Sequence, residues 1–315
     1  MIRTVLGDID PALLGPMNYH EHLFQITPLL PGDELDDETR STTEAGLLRA
    51  SGFAAMVDAT PFGLGRDPEA VARISAATGM HVIATTGRHR EAHYDAHHPT
   101  RSQDADQLAQ QFITEITEGM PRTDAAPNGP RAQGPDGSAV RAGILKAGID
   151  YWRISDFERT TLHALAAAHR ATGAAIMVHL EFCTAAHEVL DLLAAEGVTA
   201  ERVVLAHADR DPDAGLHVSL AERGAYLGYD GFARPRTRSD AELLALTAAA
   251  IDGGAGDRIV LGGDVARRTR YSAYGGMPGL AYLGERYLPR LRDLIGDAAV
   301  ERMLVANPAR LLALS

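Results

Sequence analysis

Short apolar runs recur along the chain, each closing on a polar or glycine-rich turn, and most are followed by an Ala/Leu-rich stretch with helical spacing. In order they are LGPMNYHEH (14–22), GFAAMVDAT (52–60), HVIATTG (81–87), AGILKAG (142–148), AAIMVHLE (174–181), RVVLAHAD (202–209), GAYLGYDG (224–231) and RIVLGGDV (258–265). Strands alternating with helices read as βαβ units of a parallel sheet. Eight of them predict a closed (β/α)8 TIM barrel, formed as one domain over residues 1–315. The intervening segments agree. SDFERTTLHALAAAHRAT opens on Ser155 with Glu158 three residues on, the spacing of a capping box, and AAHEVLDLLAAEG stops at Gly197. One segment breaks the rhythm: residues 119–138 are rich in Pro, Gly, Asp and Asn and are expected to form a mobile loop insertion.

Composition narrows the class. With 45% hydrophobic and 23% charged residues the chain has the balance of a globular protein. A formal net charge of -12 argues against a nucleic-acid partner, which requires a basic surface. Cys183 is the only cysteine, so no internal disulfide forms, and it reads as a packed thiol. The N-terminal MIRTVLGDID lacks the apolar stretch of a signal peptide, and no run approaches the roughly 18 apolar residues of a membrane span. A cytoplasmic protein without a membrane partner is expected.

In a barrel of this kind the active site forms where the strands end. The first run ends in His20 and His22, the fourth carries Lys146, the fifth His179, the sixth His207 and the eighth Asp264. Strand alternation sends both imidazoles of HEH to one side. A single strand-end histidine is usually structural, but imidazoles and a carboxylate on four strands suit zinc, with manganese or cobalt as alternatives. Lys146 is the only lysine in the chain; every other basic side chain is arginine. A buried ammonium is costly beside metals. Two chemistries use such a lysine: a Schiff-base aldolase, in which the neutral amine attacks a carbonyl, or uptake of carbon dioxide to give a carbamate that bridges two cations. Only the second also accounts for the histidines.

The ordered strings HEHLF, RAGILKAG, VHLE, LAHADR, GGDVARR and the closing NPARLLAL resemble the phosphotriesterase-like branch of the amidohydrolase superfamily over nearly the whole chain. The resemblance implies a binuclear centre, with His20, His22 and Asp264 on one ion, His179 and His207 on the other, and carboxylated Lys146 between them. It further implies a hydrolase in which a water shared by the two cations loses its proton near neutral pH, Asp264 accepting that proton. Homodimers are common in the family.

The substrate must be read from the loops. YDGFARPRTRSD carries Arg234, Arg236 and Arg238, and ARRTRYSAYGG carries Arg267, Arg268, Arg270, Tyr271 and Tyr274. Arginines clustered on adjacent loops of an acidic protein point to an anion site, and this corner of a barrel often holds phosphate. HADRDPD, YDGFAR and GDVARRTRY resemble the branch that hydrolyses phosphorylated sugar lactones. That resemblance implies substrate contacts from Arg234, Arg267, Arg270, Tyr271 and Tyr229, although Arg270 stands where the family pattern has tyrosine. The expected activity is opening of a phosphorylated sugar lactone. Hydrolysis of a small N-acyl anion or of an organophosphate triester at the same centre remains the alternative. His89, His93 and His97 are spaced to share a helical face, but Gly87 and Pro99 bracket them as a substrate-facing loop. The acidic stretch 31–38 reads as a solvated loop.

Overall fold

The computed structural model describes residues 1–314. A short antiparallel hairpin, β1 (Ile2–Thr4) and β2 (Gly7–Ile9), precedes the barrel and has no counterpart in the predicted pattern. The eight predicted runs then form β3 (Met17–Glu21), β4 (Ala55–Asp58), β5 (His81–Gly87), β6 (Ala142–Ile149), β7 (Ile176–Leu180), β8 (Val203–Ala206), β9 (Tyr226–Tyr229) and β10 (Ile259–Leu261). Among the described residues these make one parallel eight-stranded sheet in sequential order. The ring closes beyond β10, where the Asp264 amide donates to the His20 carbonyl at 2.9 Å.

Period-two alternation divides the strands between two cores. Met17, Tyr19, Ala55, Val57, Ile83, Ile144, Met177 and Val204 fill the barrel interior, and Ile2 with Leu311 and Leu312 joins them to plug the end where the strands begin. Met56, Val82, Leu145, Val178 and Leu205 face outward onto the helices. Helix α4 (Asp156–Thr172) begins with the predicted reciprocal cap, the Glu158 amide on Ser155 Oγ at 3.3 Å and the Ser155 amide on Glu158 Oε2 at 2.9 Å. No helix among the described residues is long and apolar enough to cross a membrane.

The 119–138 insertion carries a small ladder and one buried tether. The Met120 amide donates to Val140, and Ala132 and Val140 complete a small antiparallel ladder. Asp124 accepts the Gly63 amide at 2.7 Å and Arg66 Nε at 2.9 Å. Arg66 also forks onto Glu115 at 2.8 and 3.0 Å, with both side chains almost fully buried. Composition could not reveal this, because the partners lie 49 and 58 residues from Arg66. Arg66→Leu leaves two carboxylates buried without their counter-charge, so a loss of about 3–5 kcal/mol is expected in urea unfolding. A loss below about 1 kcal/mol would show that the cluster does not hold the segment in place.

Candidate metal centre

Continued alternation from Met17 and Tyr19 would put His20 and His22 on the helix side of β3. Instead the register against β4 slips by one residue between Asn18 and Glu21, and the bulge turns both imidazoles into the mouth of the barrel. Lys146 and His179 follow the inward-facing Ile144 and Met177 by two residues, so simple alternation delivers them. His207 does not follow alternation: it comes directly after inward-facing Ala206, and a left-handed backbone (φ 63°) swings it inward. Asp264 is also left-handed (φ 43°). Such non-glycine conformations cluster at functional sites, where the surrounding structure supports their strain. At Gly87 (φ 120°) a Cβ would lie 2.1 Å from the Lys146 carbonyl, so only glycine lets the end of β5 pass beside the lysine.

Four imidazoles have one ring nitrogen engaged and present the other to the cavity. Asp230 takes His20 Nδ1 at 3.2 Å and His207 Nδ1 at 2.6 Å, and it also accepts the Tyr19 hydroxyl. The Thr60 hydroxyl donates to the Phe24 carbonyl at 2.6 Å, which leaves its oxygen to accept His22 Nδ1 at 2.7 Å. Glu181 takes His179 Nε2 at 3.0 Å, turning Nδ1 towards His207 Nε2, 2.8 Å away. An acceptor on one nitrogen fixes the tautomer and exposes a lone pair on the other, the arrangement of metal-bound histidine. His20, His22 and Asp264 bring donor atoms close enough for one ion. Asp230 lies equally close to His20 and His207, but it holds their Nδ1 atoms and so orients the rings from behind.

Electrostatics favour neutral donors. Burial drives His22 and His179 well below the ordinary imidazole range and takes His207 down to about 4. Lys146 is fully buried; burial lowers its amine to about 8 against the pull of Asp264, Asp230 and Asp58. Its Nζ donates to the Ala59 carbonyl at 2.8 Å and lies 3.5 Å from His20 Nε2. Burial alone would raise Asp264, but Arg234, His20 and His207 outweigh it and hold the carboxyl well below its usual range. Its Oδ2 accepts Arg234 at 2.8 Å and Arg210 at 3.3 Å.

All six expected ligands line one cavity of about 920 Å³. Arg234, Arg236, Arg267 and Arg270 line its mouth. Arg270 reaches the Asp264 carbonyl with Nη1 at 3.4 Å, while its buried Nη2 has no partner; burial and Arg234 lower its guanidinium to about 10. The other loop cations are used differently. Arg238 turns to the carbonyls of Asp209 and Arg210, and Arg268 stacks on Tyr274.

Two expected substrate contacts are corrected by burial. Tyr229 is fully buried with its hydroxyl 2.5 Å from His217 Nδ1, and buried Tyr271 donates to the His22 carbonyl. Neither reaches the cavity; Tyr271 instead fixes the end of β3. The 89–97 segment is a loop, as its bracketing Gly87 and Pro99 led us to expect. A 3-10 turn (Glu91–His93) places His89 and His93 in the cavity wall, and His97 is not part of it. Sequence reasoning passed over Asp230, Glu181, Thr60, Arg210 and Gln25. Asp230 and Glu181 were visible as acidic residues flanking the chosen positions in YDG and VHLE, whereas Thr60 and Gln25 carry no chemical signal until the fold places them.

Comparison with known proteins agrees with this geometry. The model of the Phosphotriesterase family matches residues 1–127 and 130–312. The chain is 30% identical over 278 residues to the phosphotriesterase homology protein of Escherichia coli K12, covering 88% of this chain and 89% of that protein. It is 30% identical over 331 residues to a phospho-furanose lactonase of Mycoplasmopsis synoviae, covering 99% and 91% of the two. The crystal structure of the lactonase Lmo2620 from Listeria monocytogenes superposes with a TM-score of 0.88 at 28% identity, covering 100% of this chain and 99% of that one. A parallel barrel whose strand ends gather oriented imidazoles around a lysine, matched by the family model over almost its full length, thus belongs to the phosphotriesterase family of metal-dependent hydrolases.

Proposed function

We propose that the protein opens the ring of a phosphorylated sugar lactone. The observation that carries this reading is Arg270, whose buried Nη2 has no protein partner at the mouth of the cavity, with Arg234 and Arg267 beside it in an acidic protein. An unpaired buried guanidinium calls for an anion, and a planar fork suits phosphate. The phospho-furanose lactonase among the relatives supports the same choice.

The donor set fits two divalent cations: oriented imidazoles, an ionised carboxylate, and a lysine whose amine is pushed towards its neutral form. His20, His22 and Asp264 would hold one ion and His179 and His207 the other, with Lys146, carboxylated on Nζ, between them. Zinc suits these donors, and manganese or cobalt are the alternatives. When bound, the metals would supply a Lewis acid for the carbonyl oxygen and an acidified water. The remaining roles belong to side chains. Asp230 and Glu181 fix the tautomers, Asp264 receives the proton at Oδ1 or Oδ2 and passes it to the leaving ring oxygen, and Arg210 and Arg234 keep that carboxylate ionised.

A metal analysis paired with a pH-indicator screen of aldonolactones with and without phosphate tests the reading. Two metals per chain and phosphate-dependent turnover are expected. Arg270→Ala should lower kcat/KM for the phosphorylated lactone by about 10–100-fold, the worth of a charged hydrogen bond, and leave the unphosphorylated compound nearly unaffected. Equal turnover of both compounds by the unmodified protein would sink the phosphate assignment.

A further inference from the structure

The cavity has a second wall that the anion does not need. It is built from the loops after β3 and β5, and β5 stands four strands from β9 around the ring, so this wall lies across from the loop that carries Arg234. Gln25 is 6% exposed, yet its Oε1 has no hydrogen-bond partner. Its position is fixed, because its backbone exchanges two hydrogen bonds of 2.9 Å with Leu35. A buried amide oxygen left unpaired in a rigid wall is destabilising unless a ligand or water satisfies it.

Two imidazoles stand with it. Thr27, two residues from Gln25, binds His93 Nδ1 at 2.9 Å, and His93 stacks on His89 with ring centroids 3.8 Å apart. His89 Nδ1 accepts the Arg90 amide at 2.8 Å, so in the neutral ring the proton sits on Nε2 as a donor. The neighbouring Arg90 is paired with Asp150 at 3.0 Å and Glu181 at 3.1 Å, and its charge is therefore compensated. The wall thus offers an acceptor and several donors, and its one cation is already paired with carboxylates. An anion cannot satisfy Gln25 Oε1, whereas a hydroxyl, which both donates and accepts, matches every group present.

We propose that Gln25, His89 and His93 form a neutral hydroxyl-binding wall that selects substrates with hydroxyl groups along the carbon chain. The inference rests on the lactone reading only for its choice of probes. Binding to the zinc-loaded protein is measured by calorimetry for three compounds: a pentonate phosphate (the ring-opened hydroxylated acid), a phosphorylated pentanoate of the same length without the other hydroxyls, and the pentonate without phosphate. The unmodified protein is expected to prefer the hydroxylated phosphate over its deoxy counterpart by at least about tenfold, the net worth of one hydrogen bond. Gln25→Leu, close in volume but without the amide, should cut that ratio below about threefold. His93→Phe, which keeps the stacking on His89 but lacks ring nitrogens, should also lower it and gives a second reading if Gln25→Leu fails to fold.

A ratio below threefold in the unmodified protein, or one that survives in the folded variants, overturns the wall: the amide is then satisfied by water. The phosphate comparison separates this outcome from failure of the lactone-phosphate reading. Preference for hydroxyls without preference for phosphate leaves the wall standing and removes the phosphate assignment, and the reverse removes the wall alone.

Discussion

Asp264→Asn is expected to lower kcat by about 10³-fold or more, at the upper end of what a positioned base contributes. The substitution is chosen for its backbone. Asp264 sits in the left-handed region, which asparagine tolerates better than other side chains, so the amide can occupy the same place. It loses the charge that Arg234 and Arg210 contact at 2.8 and 3.3 Å. The carboxylate they surround is held well below the usual range, so it is ionised at every working pH. So weak a base takes a proton only briefly, which suits handing it to a leaving oxygen. Metal content should fall less than turnover, because His20 and His22 remain. Metal analysis of the variant separates the two losses, and turnover within tenfold of the parent with metal retained would show that Asp264 is not the acceptor.

Lys146→Arg should abolish turnover and reduce metal affinity by at least about 10²-fold. Guanidinium stays protonated and offers no free amine for carboxylation. Lys146→Glu, which places a carboxylate near the bridging position, should keep more metal than Lys146→Arg. Carboxylation joins Nζ to the carbon of CO2 and releases one proton, so it needs the neutral amine. Because burial lowers the lysine from 10.5 to about 8, the neutral fraction reaches half near pH 8 and levels about one unit higher. Reconstitution of metal-free protein at fixed dissolved CO2 should therefore accelerate from pH 6 through about 8 and flatten roughly one unit above that, where an exposed lysine would keep accelerating towards its usual value. A rate independent of CO2, or equal metal binding by Lys146→Arg, contradicts the bridge.

The barrel was legible because its signal is local. Each strand announces itself by a short apolar run and a turn, and the inward placement of Lys146 and His179 follows from period two. Helix α4 was legible to its cap for the same reason, since Ser155 and Glu158 are three residues apart. The chemistry of the expected ligands was legible too, because imidazole, carboxylate and a lone lysine at strand ends are unusual together. Charge on loops was less informative: Arg238 and Arg268 proved to serve carbonyls and an aromatic ring, while Arg270 was left with Nη2 unpaired at the cavity.

The sequence by itself determined the strand order and the kinds of donor at each strand end, since these depend on residues adjacent in the chain. Only the tertiary structure decided which way His20, His22 and His207 point, through a register slip and a left-handed residue that carry no compositional mark. It also decided that Tyr229 and Tyr271 are braces, that Asp124 of the 119–138 segment pairs with Arg66, and that Asp230 orients two histidines at once. Each of these depends on groups far apart in sequence, and their distance and burial are set only when the ring of strands closes.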